Sequence, residues 1–192
     1  LPYIQKYFHK IVVIKYGGNA MVSDELKAAV MEDVVLLSLV GIRVVLVHGG
    51  GPEITDTLKA MGIQSRFVNG LRYTDAETAQ VVQMVLSGKV NREIVSAINV
   101  HAPIAVGLSG EDAGLIVADV RDPALGYVGD VREVNPAIVE RLLAEELIPV
   151  ISTIGSDESG QAYNINADTV AGAIAAALGA EKLVYLTDVA GL

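Results

Sequence analysis

No cysteine occurs in the chain, which excludes disulfides and thiolate metal sites and leaves the redox compartment open. Histidine is scarce too: three residues without close spacing form no zinc-ligand pattern. Basic residues are outnumbered, with 14 Lys and Arg against 23 Asp and Glu and a formal net charge of -9. They are scattered rather than clustered, which argues against a nucleic-acid surface and for a small partner. Long apolar runs are also missing. The longest, over 34–42 and 170–180, fall well short of the roughly 18 residues that span a bilayer, and no signal-peptide pattern opens the chain. These absences predict a soluble, cytoplasmic protein with neither a membrane nor a nucleic-acid partner.

The 192 residues are 52% hydrophobic, enough for the core of one α/β domain. The first residue is Leu1 rather than Met, and 183–187 reads as a buried strand followed by a loop with nothing to complete the unit. A piece of a longer protein is therefore expected.

The organising stretch is VVLVHGGGPEI at 44–54. An apolar strand runs into His48 and three glycines, and Pro52 fits the first turn of a helix. Bare glycines let backbone approach a ligand, and the free amides of a helix start attract anions. The plainer alternative is a tight strand-to-helix turn. Neither the Walker nor the Rossmann spacing is present. The theme occurs twice, because the strand at 11–16 is followed by Gly17, Gly18 and Asn19 and then by a helix capped near Ser23 and running to about Val40.

Further helices are predicted over 52–61, 74–86, 90–100, 136–146 and 167–178. Thr74 and Glu77 have capping-box spacing, Gly88 separates the second of these helices from the third, and Asn135 caps the fourth. A short helical face at 1–8 needs something to pack on. Residues 64–73 read as polar and irregular. Buried strands are expected at 43–48, 104–108 and 148–154, and an antiparallel hairpin over 115–134. Long apolar strands alternating with helices imply a three-layer αβα sandwich with a mainly parallel central sheet and the hairpins as edge additions.

Lys15 ends an otherwise apolar strand beside a glycine loop. Its ammonium either needs an anionic partner or reaches past the sheet edge into water. Two anion-friendly loops and a lysine at the carboxyl ends of parallel strands converge where open α/β sheets bind ligands, and phosphate is the natural guest. Asp168 either complements its helix dipole or fixes lysine ammonium groups near a phosphoryl group. Asn164 either stabilises a turn or contacts substrate. Arg72 has a fork suited to a carboxylate, against the alternative of a solvated surface arginine. His48 reads as structural rather than as a base. Glu111 and Asp112 read as a solvated loop rather than a metal site, so no protein metal site is expected.

IKYGGNAM at 14–21, VHGGGPEI at 47–54, NGLRYTD at 69–75 and YNINADTVAGAIAAALGAEKL at 163–183 together resemble the N-acetylglutamate kinases of the amino acid kinase family. Matching stretches at 85–99, 105–115, 126–136 and 186–192 extend the likeness over nearly the whole chain. The resemblance implies the carbamate kinase-like fold and transfer of the γ-phosphoryl group of ATP, carried with Mg²⁺, to the side-chain carboxylate of N-acetyl-L-glutamate in arginine biosynthesis. By position in the family motifs, Lys15 would stabilise the transferring phosphoryl and Asp168 would organise lysines. Amides of Gly17, Gly18, Gly50 and Gly51 would cradle phosphoryl oxygens, with Gly50 and Gly51 also touching substrate. Arg72 and Asn164 would hold N-acetyl-L-glutamate.

Asp188 would open the nucleotide site, whose remainder, with a second catalytic lysine, lies in chain absent here. Residues 1–9 would end an oligomerisation helix, 10–182 would form the N-acetylglutamate lobe and 183–192 would begin the ATP lobe. The hairpin at 115–134 would act as a lid, and the 74–100 helices would pair subunits. A homodimer or a hexamer built as a trimer of dimers is implied, with L-arginine as feedback inhibitor. The alternatives are a non-catalytic substrate-binding or regulatory module and a kinase for another small carboxylate.

Overall fold

The computed structural model describes residues 2–21 and 23–186. In chain order the elements are α1 (Pro2–Tyr7), β1 (Ile11–Tyr16), α2 (Asp24–Leu39), β2 (Arg43–His48), α3 (Gly51–Ala60), β3 (Phe67–Val68), β4 (Leu71–Arg72), α4 (Ala76–Gln83) and α5 (Asn91–Asn99). They continue with β5 (Ala105–Ser109), β6 (Ile116–Val120), β7 (Val128–Val134), α6 (Ala137–Ala144), β8 (Ile148–Ser152), β9 (Ile154–Ser156), β10 (Ala162–Ile165), α7 (Ala167–Ala177) and β11 (Lys182–Tyr185). Five strands form a parallel sheet in the order β11-β1-β2-β8-β5.

The period-two alternation of a strand sends neighbouring residues to opposite faces, and here both faces are covered. Val12, Ile14, Val44 and Leu46 meet Met31 and Val34 of α2, Leu58 of α3 and Ile94 of α5 on one side. Val13, Val45 and Val47 meet Val139 of α6 and Val170 and Ile174 of α7 on the other. This is the expected three-layer sandwich. The carboxyl ends of four strands align in register, Tyr16 beside His48, His48 beside Ser152 and Ser152 beside Ser109. Every loop that follows them opens on the same edge.

Several local expectations are corrected. The hairpin at 115–134 is antiparallel, with a bulge between Val117 and Ala118, but it adds to no edge of the main sheet. It closes with β9 and β10 into a separate four-stranded ring. The apolar run at 148–154 is accordingly two strands: β8 stays in the main sheet, and the chain leaves it at Thr153 so that β9 pairs with β6 and β10.

Gly88 does not break a helix. A π-helical stretch, Met84–Val90, joins α4 to α5, because burial of Val85, Leu86 and Val90 holds the segment against the core. Asp75, not Thr74, caps α4, accepting from the Thr78 amide at 2.8 Å. Thr74 is buried and donates instead to the Arg72 carbonyl at 2.8 Å. Pro136 takes the cap position of α6, with Asn135 accepting from the Ala137 amide at 3.3 Å. Within 64–73, Asn69 and Gly70 both have positive φ, and they join β3 to β4 as a two-residue hairpin turn. Just past the amino-terminal helix, Phe8 lies over Gly41, where a φ of +86° and the absence of a side chain admit its ring.

Candidate active site

Lys15 lies one residue before the end of β1, and its side chain turns back over its own loop. Its Nζ is 3.5 Å from the point where a Gly17 Cβ would stand, and the Gly49 nitrogen is 3.9 Å from that point. An alanine at Gly17 would thus crowd the ammonium between the two glycine loops. The side chain is only 16% exposed, and its partner is Asp168, whose Oδ1 is 3.1 Å away. Asp168 is 59% exposed, so the pair sits at a rim, with the cation inward and the carboxylate outward. α7 brings Asp168 there because Asn166 caps its first turn, its Oδ1 accepting from the amides of Asp168 at 2.9 Å and Thr169 at 3.1 Å. Asn166 escaped notice in the sequence, although an Asn two residues ahead of an Asp at a helix start is a capping signal. α7 also closes on the second loop: a Cβ at Gly49 would lie 3.5 Å from that of Ala167.

In that loop the Gly49 amide is already taken by the Tyr16 carbonyl at 3.3 Å. Gly50 caps α3, and its carbonyl accepts the first helical bond from Ile54 at 2.9 Å. The amides of Gly50 and Gly51 precede any intrahelical acceptor, the usual arrangement for anion binding at a helix start. Behind Gly50 stands the π-helical stretch, so close that a Cβ would meet Leu86 Cδ2 at 2.7 Å and Val90 Cγ2 at 3.1 Å. Gly18 adopts φ +64° and has open space around it.

Arg72 is buried beneath the same loop. It donates through Nη2 to the Gly51 carbonyl at 3.0 Å and the Thr55 hydroxyl at 2.9 Å, and through Nη1 to Ser65 at 2.8 Å. Its guanidinium also lies 4.7 Å over the Phe67 ring. Burial lowers its pKa. Asn164, in β10, donates to the Thr74 hydroxyl at 3.5 Å, and that hydroxyl donates to the Arg72 carbonyl. Two groups therefore share the Gly49–Gly51 loop: Lys15 with Asp168 and Gly17, and Arg72 with Thr74 and Asn164. Asp188 lies outside the described residues.

Glu111 accepts from Gln83 at 3.0 Å and from Ser109 at 3.1 Å, and Asp112 accepts from the Ser109 amide at 2.7 Å. Both carboxylates are engaged by protein donors. Among the described residues no cluster of three or more His, Asp and Glu could hold a metal ion. Glu53, in the first turn of α3, has a buried Oε2 without a hydrogen-bond partner. Its charge adds to burial in pushing the Tyr16 hydroxyl up to about 12.

Residues 10–192 match the family model described as the amino acid kinase family. The chain belongs to the amino acid kinase family. It is 54% identical over its whole length to an acetylglutamate kinase of Pelotomaculum thermopropionicum, covering 69% of that protein. It is 56% identical to the chloroplastic acetylglutamate kinase of Arabidopsis thaliana, covering 56% of it. Among solved structures, N-acetylglutamate synthase from Neisseria gonorrhoeae, complexed with coenzyme A and N-acetyl-glutamate, superposes with a TM-score of 0.85 at 27% identity. That match covers all of this chain and 44% of the synthase. Within the amino acid kinase family, then, the chain is related to the acetylglutamate kinases over about 56 to 69% of their length. Among the described residues no helix is long and apolar enough to cross a membrane.

Proposed function

We propose that this chain forms the N-acetyl-L-glutamate-binding part of an enzyme that phosphorylates the side-chain carboxylate of that substrate with ATP, a step of arginine biosynthesis. The observation that carries the reading is the Lys15–Asp168 pair, 3.1 Å apart at the mouth between the two glycine loops. Relatives bearing the name acetylglutamate kinase narrow the acceptor, and the N-acetyl-glutamate held by the structurally similar synthase supports the same ligand class.

The chemistry suits the site. A carboxylate is ionised near pH 7 and needs no general base. One of its oxygens attacks the γ-phosphorus, a new oxygen–phosphorus bond forms, and the bond from phosphorus to the β,γ-bridging oxygen breaks as ADP leaves. Catalysis then reduces to alignment and charge stabilisation. Lys15, steadied by Asp168, neutralises charge on the transferring group, and amides of Gly17, Gly18, Gly50 and Gly51 cradle its oxygens. Arg72 and Asn164 hold the amino-acid end of the substrate. Mg²⁺ enters with ATP and supplies charge neutralisation, held chiefly by the nucleotide's own phosphates.

Residues 183–192, including Asp188, open the nucleotide-binding part. Subunits pair through the helices at 74–100, the amino-terminal helix links dimers into a hexamer, L-arginine acts as feedback inhibitor, and the enzyme works in the cytoplasm. Sedimentation with and without L-arginine tests the assembly. Titration calorimetry with N-acetyl-L-glutamate tests the substrate: binding strongly weakened by Arg72→Ala is expected, whereas binding of aspartate or carbamate in its place would redirect the reading.

A further inference from the structure

His48 is fully buried at the carboxyl end of β2, and it takes no part in the chemistry above. Its surroundings nevertheless dictate where its proton sits. Arg92 donates to the Asn91 side-chain oxygen, which turns the Asn91 amide nitrogen toward Val150 O at 2.9 Å and His48 Nε2 at 3.0 Å. An amide nitrogen only donates, so Nε2 must accept. The neutral ring therefore carries its proton on Nδ1, which donates to the Gly49 carbonyl at 2.9 Å. The ring stays neutral because burial, together with the nearby Arg92 charge, outweighs the Gly49 contact and brings its pKa down to about 4.

That last hydrogen bond governs more than a carbonyl. The described chain contains no cis peptide, and in a planar trans unit the amide N–H points opposite to the carbonyl. With the Gly49 oxygen held against the ring, the Gly50 N–H points to the side opposite the ring. A peptide between two glycines can turn over at little steric cost, and the reversed unit would present a carbonyl to an incoming anion. We infer that His48 is a positioning residue: its Nδ1 proton locks the Gly49–Gly50 peptide so that the Gly50 amide is offered to a bound phosphoryl or carboxylate oxygen. The π-helical stretch serves the same end, since it leads into Asn91, which meets His48, while Leu86 and Val90 leave no room for a side chain at Gly50. The inference rests on the phosphoryl-cradle reading only for the identity of the anion.

Nitrogen-15 NMR of the chain labelled at histidine and glycine tests it. Near neutral pH the His48 ring should show a protonated Nδ1 and a bare Nε2; the opposite tautomer, or a doubly protonated ring, overturns the inference. Sulfate, whose charge is constant across this range, should move the Gly50 amide signal. In His48→Phe the sulfate dissociation constant should rise about tenfold, the loss of one anion hydrogen bond. In His48→Asn, whose side-chain amide keeps a donor near the Nδ1 position, it should stay within about twofold of the parent. Equal weakening in the two variants, or none in His48→Phe, overturns the lock. Should His48→Phe fail to fold, His48→Leu, which likewise removes the Nδ1 donor, is read in its place: sulfate binding about tenfold weaker is expected, and parental affinity refutes the inference. If the parent shows the stated tautomer but sulfate moves neither Gly50 nor Gly51, the lock is supported and the phosphoryl-cradle reading fails.

Discussion

Acid should destabilise this protein in a pH window set by His48. The buried ring remains neutral until about pH 4, whereas in the unfolded chain it gains a proton near its ordinary value of 6.5. Between those values the unfolded state binds one proton more than the native state, so stability rises with pH and is lost as pH falls. The loss is about 1.4 kcal/mol for each pH unit, or about 3 kcal/mol across the window. Against a typical total of about 5–15 kcal/mol that is a large fraction. Asp75 and Asp157 are held below the usual carboxylate value of 3.8, chiefly by hydrogen bonds from Thr78 and Ser159 respectively. Their contributions disappear only as pH falls below that value, outside the histidine window. Urea unfolding at several pH values between about 7 and 4.5, on the parent and on His48→Asn, isolates the effect. The parent should lose stability more steeply on acidification, and the gap between the two should close. Parallel curves would refute the assignment of a neutral buried imidazole.

Lys15→Ala in the full-length enzyme should lower kcat by at least about a hundredfold with little change in the KM for N-acetyl-L-glutamate, because the ammonium acts on charge that develops during transfer; steady-state kinetics that show equal effects on both would contradict that role. Arg72→Ala removes the guanidinium donor from the Ser65 and Thr55 hydroxyls and leaves the Gly51 carbonyl with the Thr55 hydroxyl as its side-chain donor. A stability loss of about 2–4 kcal/mol is expected by denaturant unfolding, together with weaker substrate binding by calorimetry. Gly126→Ala places a side chain at φ +73° and against the Thr74 carbonyl, and it should cost about 3 kcal/mol or more. An unchanged unfolding midpoint would show that the bridge between Thr74 and Gly126 is not rigid.

Much of the architecture was legible in the chain. The unbroken apolar runs in IVVIKY and RVVLVH marked strands buried on both faces, and glycines with a following helix start marked the loops at their ends. Lys15 stood out because a cation ending an apolar strand calls for an anion, and Asp168, 153 positions away, supplies it. The Asn69–Gly70 pair is a local hairpin signal within a stretch that otherwise reads as irregular. Other features depend on partners remote in sequence. Gly88 is a helix breaker by propensity, yet burial of its neighbours keeps the π-helical segment unbroken, which illustrates tertiary packing overriding local preference. Nothing within 148–156 announces that β8 and β9 belong to different sheets, because pairing with β6 and β10 decides it.

The sequence by itself determined the fold class and the family, and it named the residues proposed here for phosphoryl chemistry, since apolar patterning and motif order are local properties of the chain. Only the tertiary structure decided which of these residues meet and in what protonation state. The neutral Nδ1–H form of His48 is set by Asn91, 43 positions away, and by burial from several elements at once. Such couplings arise when distant segments exclude water together, and no window of the sequence contains them.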